Sequence, residues 1–178
     1  MNYFIQFLTY FRILIAPVIF ILITLYDSYG WALFLFFLAS ISDYLDGFLA
    51  RKYNLESIIG AVLDPIADKI LTTFLILALS LELSSIFVSM IGGIILAREY
   101  WVGALRDLNS KNGNYSATNV TYLAKIKTSL QFLTFASFLS GLYLENSLII
   151  FLSHFLLFLA LIVTIQTGLS YTIATFKR

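Results

Sequence analysis

Asp43-Tyr-Leu-Asp46-Gly47-Phe-Leu-Ala50-Arg51, eight further residues, then Gly60-Ala-Val-Leu-Asp64-Pro65-Ile-Ala-Asp68: the fold turns on this stretch. Four carboxylates stand here in a chain that is 60% hydrophobic and 12% charged. Burying one ionised carboxylate in a low-dielectric medium costs several kcal/mol or more unless a partner compensates. Four together require cations. Asp43 and Asp46 are three apart and Asp64 and Asp68 four apart, so on helices each pair shares a face. Two such helices facing each other surround one small volume with carboxylate oxygens. Gly47, Ala50 and Gly60 leave room for close helix approach or for a ligand to reach backbone. The donor set is all oxygen, and the single histidine, His154, is remote in sequence. That chemistry suits hard Mg²⁺ or Mn²⁺ rather than zinc, and two divalent cations balance four aspartates.

Outward from this stretch, the chain reads as a membrane protein. At 178 residues it suits one domain, and a mean hydropathy of +0.92 with 17% aromatics leaves little polar surface for a soluble globule. A net charge of +1 gives no ground for a nucleic-acid partner. With no cysteine there is no disulfide and no thiolate metal site. The N-terminus lacks a basic region and a small-residue cleavage site, so the first apolar segment is expected to stay as a span.

A bilayer core of about 30 Å needs about 20 apolar residues per helix. Six segments qualify, roughly 5–26, 30–52, 57–80, 85–106, 119–142 and 147–174, predicting an all-α bundle of six transmembrane helices. All eleven basic residues fall toward one side, whereas the opposite connections hold Asp27, Glu82 and Glu145 and no Lys or Arg. The positive-inside rule then puts both termini and the aspartates on the cytoplasmic face of the membrane. Tyr26, Tyr29, Trp31 and Tyr143 fit an aromatic belt at the other interface.

Other polar residues inside the spans have competing readings. Structural ion pairs of the aspartates with Arg51, Lys52 and Lys69 fit the spacing less well than a metal does. Pro65 frees the carbonyl of Ala61 and predicts a local kink beside Asp64, for packing or for shaping the site. Lys52 suits the end of its helix as a snorkelling cation. Arg98 lies about two turns inside the fourth span, too deep for a casual surface charge. With Arg106 eight residues on, and Lys125 and Lys127 opening the fifth span, it predicts a second anion site. The alternative is a positive collar at the interface. Arg12 either snorkels or lines the pocket. His154 and Gln166 read as satisfied core polar groups.

The pattern D-x-x-D-G-x-x-A-R-x8-G-x-x-x-D-x-x-x-D, complete from Asp43 to Asp68, resembles the signature of the CDP-alcohol phosphotransferases. The resemblance extends over about residues 6–131. It includes Leu8-Thr9-Tyr-Phe-Arg12 with Pro17, Asp64-Pro65-Ile-Ala-Asp68-Lys69, Ala97-Arg98-Glu99, Ala104-Leu105-Arg106, and Lys125-Ile-Lys127-Thr128 with Gln131. These flanks are most similar to family members whose acceptor is glycerol 3-phosphate. Gln6 and Ala124 depart from that pattern, where Asn and Gly are usual.

The resemblance implies displacement of CMP from CDP-diacylglycerol by an alcohol. It implies metal ligation by Asp43, Asp46, Asp64 and Asp68, with Asp68 also acting as base. Asp43, Asp46, Gly47, Ala50, Arg51 and Gly60 would then bind the CDP-lipid. Arg98, Arg106, Lys125, Lys127 and Arg12 would hold the acceptor phosphate. The partners expected are therefore CDP-diacylglycerol, glycerol 3-phosphate and the lipid bilayer, and a homodimer is left open. Phosphatidylglycerol as acceptor is the nearest alternative, an inositol phosphate a more distant one. A cation transporter is disfavoured, because such folds usually repeat their site in each half and no second Asp-x-x-Asp-Gly occurs.

Overall fold

The computed structural model describes residues 2–53, 58–113 and 122–177. The side chains of residues 2–6, 46, 49–51, 53, 58, 59 and 61 lie outside the described set. Among the described residues every regular element is an α-helix: α1 Asn2–Thr24, α2 Tyr29–Tyr53, α3 Ile58–Glu82, α4 Ile86–Lys111, α5 Tyr122–Tyr143 and α6 Ser147–Phe176. They follow the six apolar segments closely. The largest difference is at the end of α4, expected near residue 106 and found at Lys111. Polar side chains extend it: Asn109, buried in spite of its amide, donates to Thr175 Oγ1 of α6 at 2.8 Å. α3 runs through Pro65 without interruption.

Among the described residues three helices are long and apolar enough to cross a membrane, within Phe7–Thr24, Ile86–Lys111 and Ser147–Phe176. Within the described residues of α2, Tyr29–Leu45 is a shorter apolar stretch.

The chain forms two compact units, one of Met1–Ser85 with Leu142–Glu145, the other of Ile86–Gly141 with Asn146–Arg178. In the first, α1 packs on both α2 and α3. Its buried stripe is Leu8, Thr9, Arg12, Ile15, Ala16, Ile19 and Ile23, one face at helical spacing. It meets Ala32, Phe36, Ala39 and Ser42 of α2 and Ala67, Leu71, Leu75, Ala78 and Leu79 of α3. The alanines let the helix axes approach closely, as small residues do between membrane helices. Large apolar side chains such as Leu14, Val18, Trp31 and Phe34 point outward, exposed. A soluble protein rarely shows so much contiguous apolar surface, whereas lipid accepts it.

In the second unit α4 packs on α6. The buried face of α6 is small and polar, with Ser153, Ala160, Thr164, Thr167 and Gly168 ahead of Tyr171. His154 is satisfied locally, its Nδ1 2.8 Å from the Ile150 carbonyl oxygen and its ring edge-on to Phe138. Gln166, expected in the core, is instead exposed, because it lies two residues from Thr164 and so on the other side of α6.

Candidate active site

In the first unit three helices contribute to one polar cluster. α1 supplies Thr9 and Arg12, three residues apart and both within its buried stripe. α2 supplies Asp43, and α3 supplies Asp64 and Asp68. Because α1 packs on both neighbours, the Arg12 side chain reaches both at once. Its Nη1 donates to Asp43 Oδ1 and, at 2.6 Å, to Asp68 Oδ1. Its Nη2 lies 3.3 Å from Asp64 Oδ1, and Thr9 Oγ1 donates to that same oxygen at 2.8 Å. The planar guanidinium thus joins carboxylates of two helices, as its fork of donors allows.

Burial within the cluster is uneven. The Arg12 side chain is wholly buried, whereas those of Asp43, Asp64 and Asp68 are 50%, 38% and 56% exposed. The carboxylates therefore form the accessible surface, with the guanidinium behind them.

Asp43, Asp64 and Asp68 are thus brought together, as their spacing predicts, and they do make ion pairs. One partner is Arg12, which was not among the cations weighed for that part. Arg12, expected among the ligands of an acceptor phosphate, has its guanidinium taken up by aspartates. The side chains of Asp46, Ala50 and Arg51 fall outside the described residues, while Gly47 and Gly60 are half-buried on α2 and α3. Among the described residues no three acidic or histidine side chains gather tightly enough to chelate a single ion. The donor chemistry, oxygen only and half-exposed, fits Mg²⁺ or Mn²⁺.

The second unit holds the expected cations, though not as an open cluster. Arg98 Nε donates to the Thr164 carbonyl oxygen at 3.1 Å, and its Nη2 donates to Thr167 Oγ1 at 2.8 Å. Its Nη1 donates to Glu99 Oε1 at 3.1 Å, the same oxygen that accepts from Lys127 Nζ at 2.5 Å. Gly168 makes this possible: a Cβ there would meet Arg98 Cγ at 3.0 Å and Nε at 3.2 Å. Arg106 lies over the Tyr171 ring, 5.4 Å from its centroid, with Nη2 3.4 Å from the Tyr171 hydroxyl. Lys125 is exposed. Residue spacing alone missed Thr9, the bond between Arg12 and the aspartates, and the bridging part of Glu99. The available signal was a charged or hydroxyl residue in an apolar span.

The acidic connections mark the other end of the first unit. Tyr29 Oη donates to Glu82 Oε1 at 2.5 Å, and Asp27 and Glu145 border a cavity of about 980 Å³ with Trp31, Phe34 and Tyr143. At 1.5 Å per residue, α2 carries Asp43 about 21 Å along the helix from Tyr29. The cavity is therefore separate from the aspartate cluster.

A membrane-type helical protein with motif aspartates gathered from two helices matches a known family in detail. The family model described as CDP-alcohol phosphatidyltransferase matches residues 5–166, so the chain belongs to the CDP-alcohol phosphatidyltransferase family. It is accordingly an enzyme of the phosphatidyl-transferring class. The chain is 32% identical over 168 residues to a Salmonella choleraesuis protein named CDP-diacylglycerol–glycerol-3-phosphate 3-phosphatidyltransferase, covering 92% of this chain and 90% of that one. Proteins of the same name from Shigella flexneri serotype 5b and Escherichia coli K12 are each 31% identical over the same shares.

Proposed function

We propose that this protein transfers the phosphatidyl group of CDP-diacylglycerol to glycerol 3-phosphate, giving phosphatidylglycerophosphate and CMP. One observation carries the reading: the similarity to enzymes named for that reaction runs through nine tenths of both chains. Because the family match spans both compact units, the whole chain is read as one functional domain. Six spans, cytoplasmic termini and a cytoplasm-facing aspartate site in the inner membrane are supported by the basic residues, absent from the connections that hold Asp27, Glu82 and Glu145.

In the proposed reaction the acceptor hydroxyl oxygen forms a bond to the β-phosphorus as the pyrophosphate P–O bond breaks and CMP leaves. Asp43, Asp46, Asp64 and Asp68 would hold two divalent cations, which supply charge neutralisation for the pyrophosphate and the departing phosphate. Asp68 takes the hydroxyl proton, a task for which its exposure gives access to a substrate. Gly47, Ala50 and Gly60 allow the nucleotide phosphates close to backbone, and Arg51 pairs with them. Arg106, Lys125 and Lys127 are assigned to the acceptor phosphate, while Arg98, bonded to Thr164 and Thr167, ties α4 to α6 beside them.

One observation favours phosphatidylglycerol as the acceptor instead. Glu99 already neutralises part of the Arg98 and Lys127 charge, and a lipid phosphodiester needs fewer cations than a phosphomonoester. The deciding experiment measures CMP release from CDP-diacylglycerol by purified protein with glycerol 3-phosphate, phosphatidylglycerol, inositol phosphate or glycerol. Turnover with glycerol 3-phosphate alone is expected. Turnover confined to phosphatidylglycerol would replace the acceptor and keep the chemistry.

A further inference from the structure

We propose that Arg12 is a positioning residue of the active site. Its buried guanidinium holds Asp43, Asp64 and Asp68 in the arrangement that binds divalent cations, and stays beneath them as they bind. The proposal deepens the two-cation reading above and rests on it.

Three observations support this assignment. First, Arg12 lies in the stripe of α1 that packs on α2 and α3, fully buried, so it cannot leave without unpacking α1. Second, the carboxylates it bonds are 38–56% exposed, so a cation from solvent meets them before it meets the guanidinium. Third, Arg12 bonds Oδ1 of Asp43, Asp64 and Asp68, and a bond of that kind restrains a carboxylate's rotation. Where the guanidinium contact is longest, at Asp64, Thr9 adds a second donor to the same oxygen. Three carboxylates from two helices repel one another, and one central cation offsets part of that repulsion. A lysine supplies the charge without the planar fork that spans both helices. Hydrogen-bond partners behind metal ligands typically change metal affinity by about 10–100-fold.

The test is Mn²⁺ binding, followed by the magnetic-resonance signal of free Mn²⁺, with detergent-purified wild type, Arg12→Lys, Arg12→Gln and Thr9→Val. Circular dichroism gives the folded fraction of each. Per folded molecule, binding about 10-fold or more weaker is expected for both Arg12 variants, with a smaller loss in the same direction for Thr9→Val. Unchanged affinity in folded Arg12→Gln would overturn the proposal by making Arg12 a packing group only. Tighter binding would overturn it by showing that the guanidinium opposes the cations. If neither Arg12 variant folds, Thr9→Val decides: weaker binding supports the proposal and equal binding overturns it. A wild type that binds no Mn²⁺ would instead remove the two-cation reading itself, and this proposal with it.

Discussion

The two compact units each hold a charge cluster in an apolar surrounding, and the clusters are opposite in sign. In the first, the buried Arg12 guanidinium bonds, among the described residues, Asp43, Asp64 and Asp68. In the second, one carboxylate, Glu99, serves Arg98 and Lys127. The carboxylates of the first stay half-exposed, open to cations from solvent. In the second, Arg98 gives donors to Thr164 and Thr167 of α6, and the buried Lys127 donates to Glu99. The difference separates charge kept for a ligand from charge used between helices. Exposure distinguishes the two, and net charge alone does not.

The sharpest way to break this comparison is at the aspartates. Asp43→Ala and Asp64→Ala are each expected to lower turnover more than about 10³-fold while the protein still inserts, since charge stabilisation of several kcal/mol is lost. Excess EDTA should do the same to wild type. CMP-release assays on membranes with matched protein levels check both, and full turnover would show that this cluster, too, serves structure.

Asp68→Asn should slow turnover by roughly 10²–10⁴-fold at saturating Mn²⁺, with little change in the KM for CDP-diacylglycerol. The asparagine keeps an oxygen but takes no proton. An unchanged rate would remove Asp68 from proton transfer and leave it a ligand only.

The second cluster divides within itself. Neutralising Arg106 or Lys125 is expected to raise the KM for glycerol 3-phosphate about 10–150-fold, as loss of a charge-assisted bond to phosphate does. The KM for CDP-diacylglycerol should move much less. Arg98→Gln, by contrast, should mainly cost stability, because Arg98 bonds Thr164 and Thr167 of α6. Kinetics corrected for folded protein distinguish these outcomes, and equal KM effects at all three positions would return Arg98 to the ligand-binding group.

The smallest effect concerns the seat of Arg98. Gly168→Ala should destabilise by about 1 kcal/mol, because the tethered arginine gives way poorly to a Cβ 3.0 Å from its Cγ. Gly93→Ala, with nothing within 4 Å of its Cβ, should be neutral or slightly stabilising. Thermal melts in one detergent compare the pair, and equal shifts would show that Arg98 is not held in place.

By itself the sequence determined the helices and the class of enzyme. Runs of apolar residues long enough for a bilayer can only be helices, since lipid leaves backbone groups to bond one another. Spacing along a helix fixes which of the aspartates share a face, and the motif they complete is that of a family of phosphatidyl-transferring enzymes. Tertiary structure alone decided the partners. Arg12 is 31 residues from Asp43 and 56 from Asp68, and only the packing of α1 on two helices makes it their common donor. Arg98 reads in sequence as a cation too deep to be idle. Whether it waits for an anion or holds a neighbour depends on Thr164, Thr167 and Gly168, more than sixty residues away. A charged side chain is satisfied by what lies within about 3 Å of it, and over such separations only the fold sets that distance.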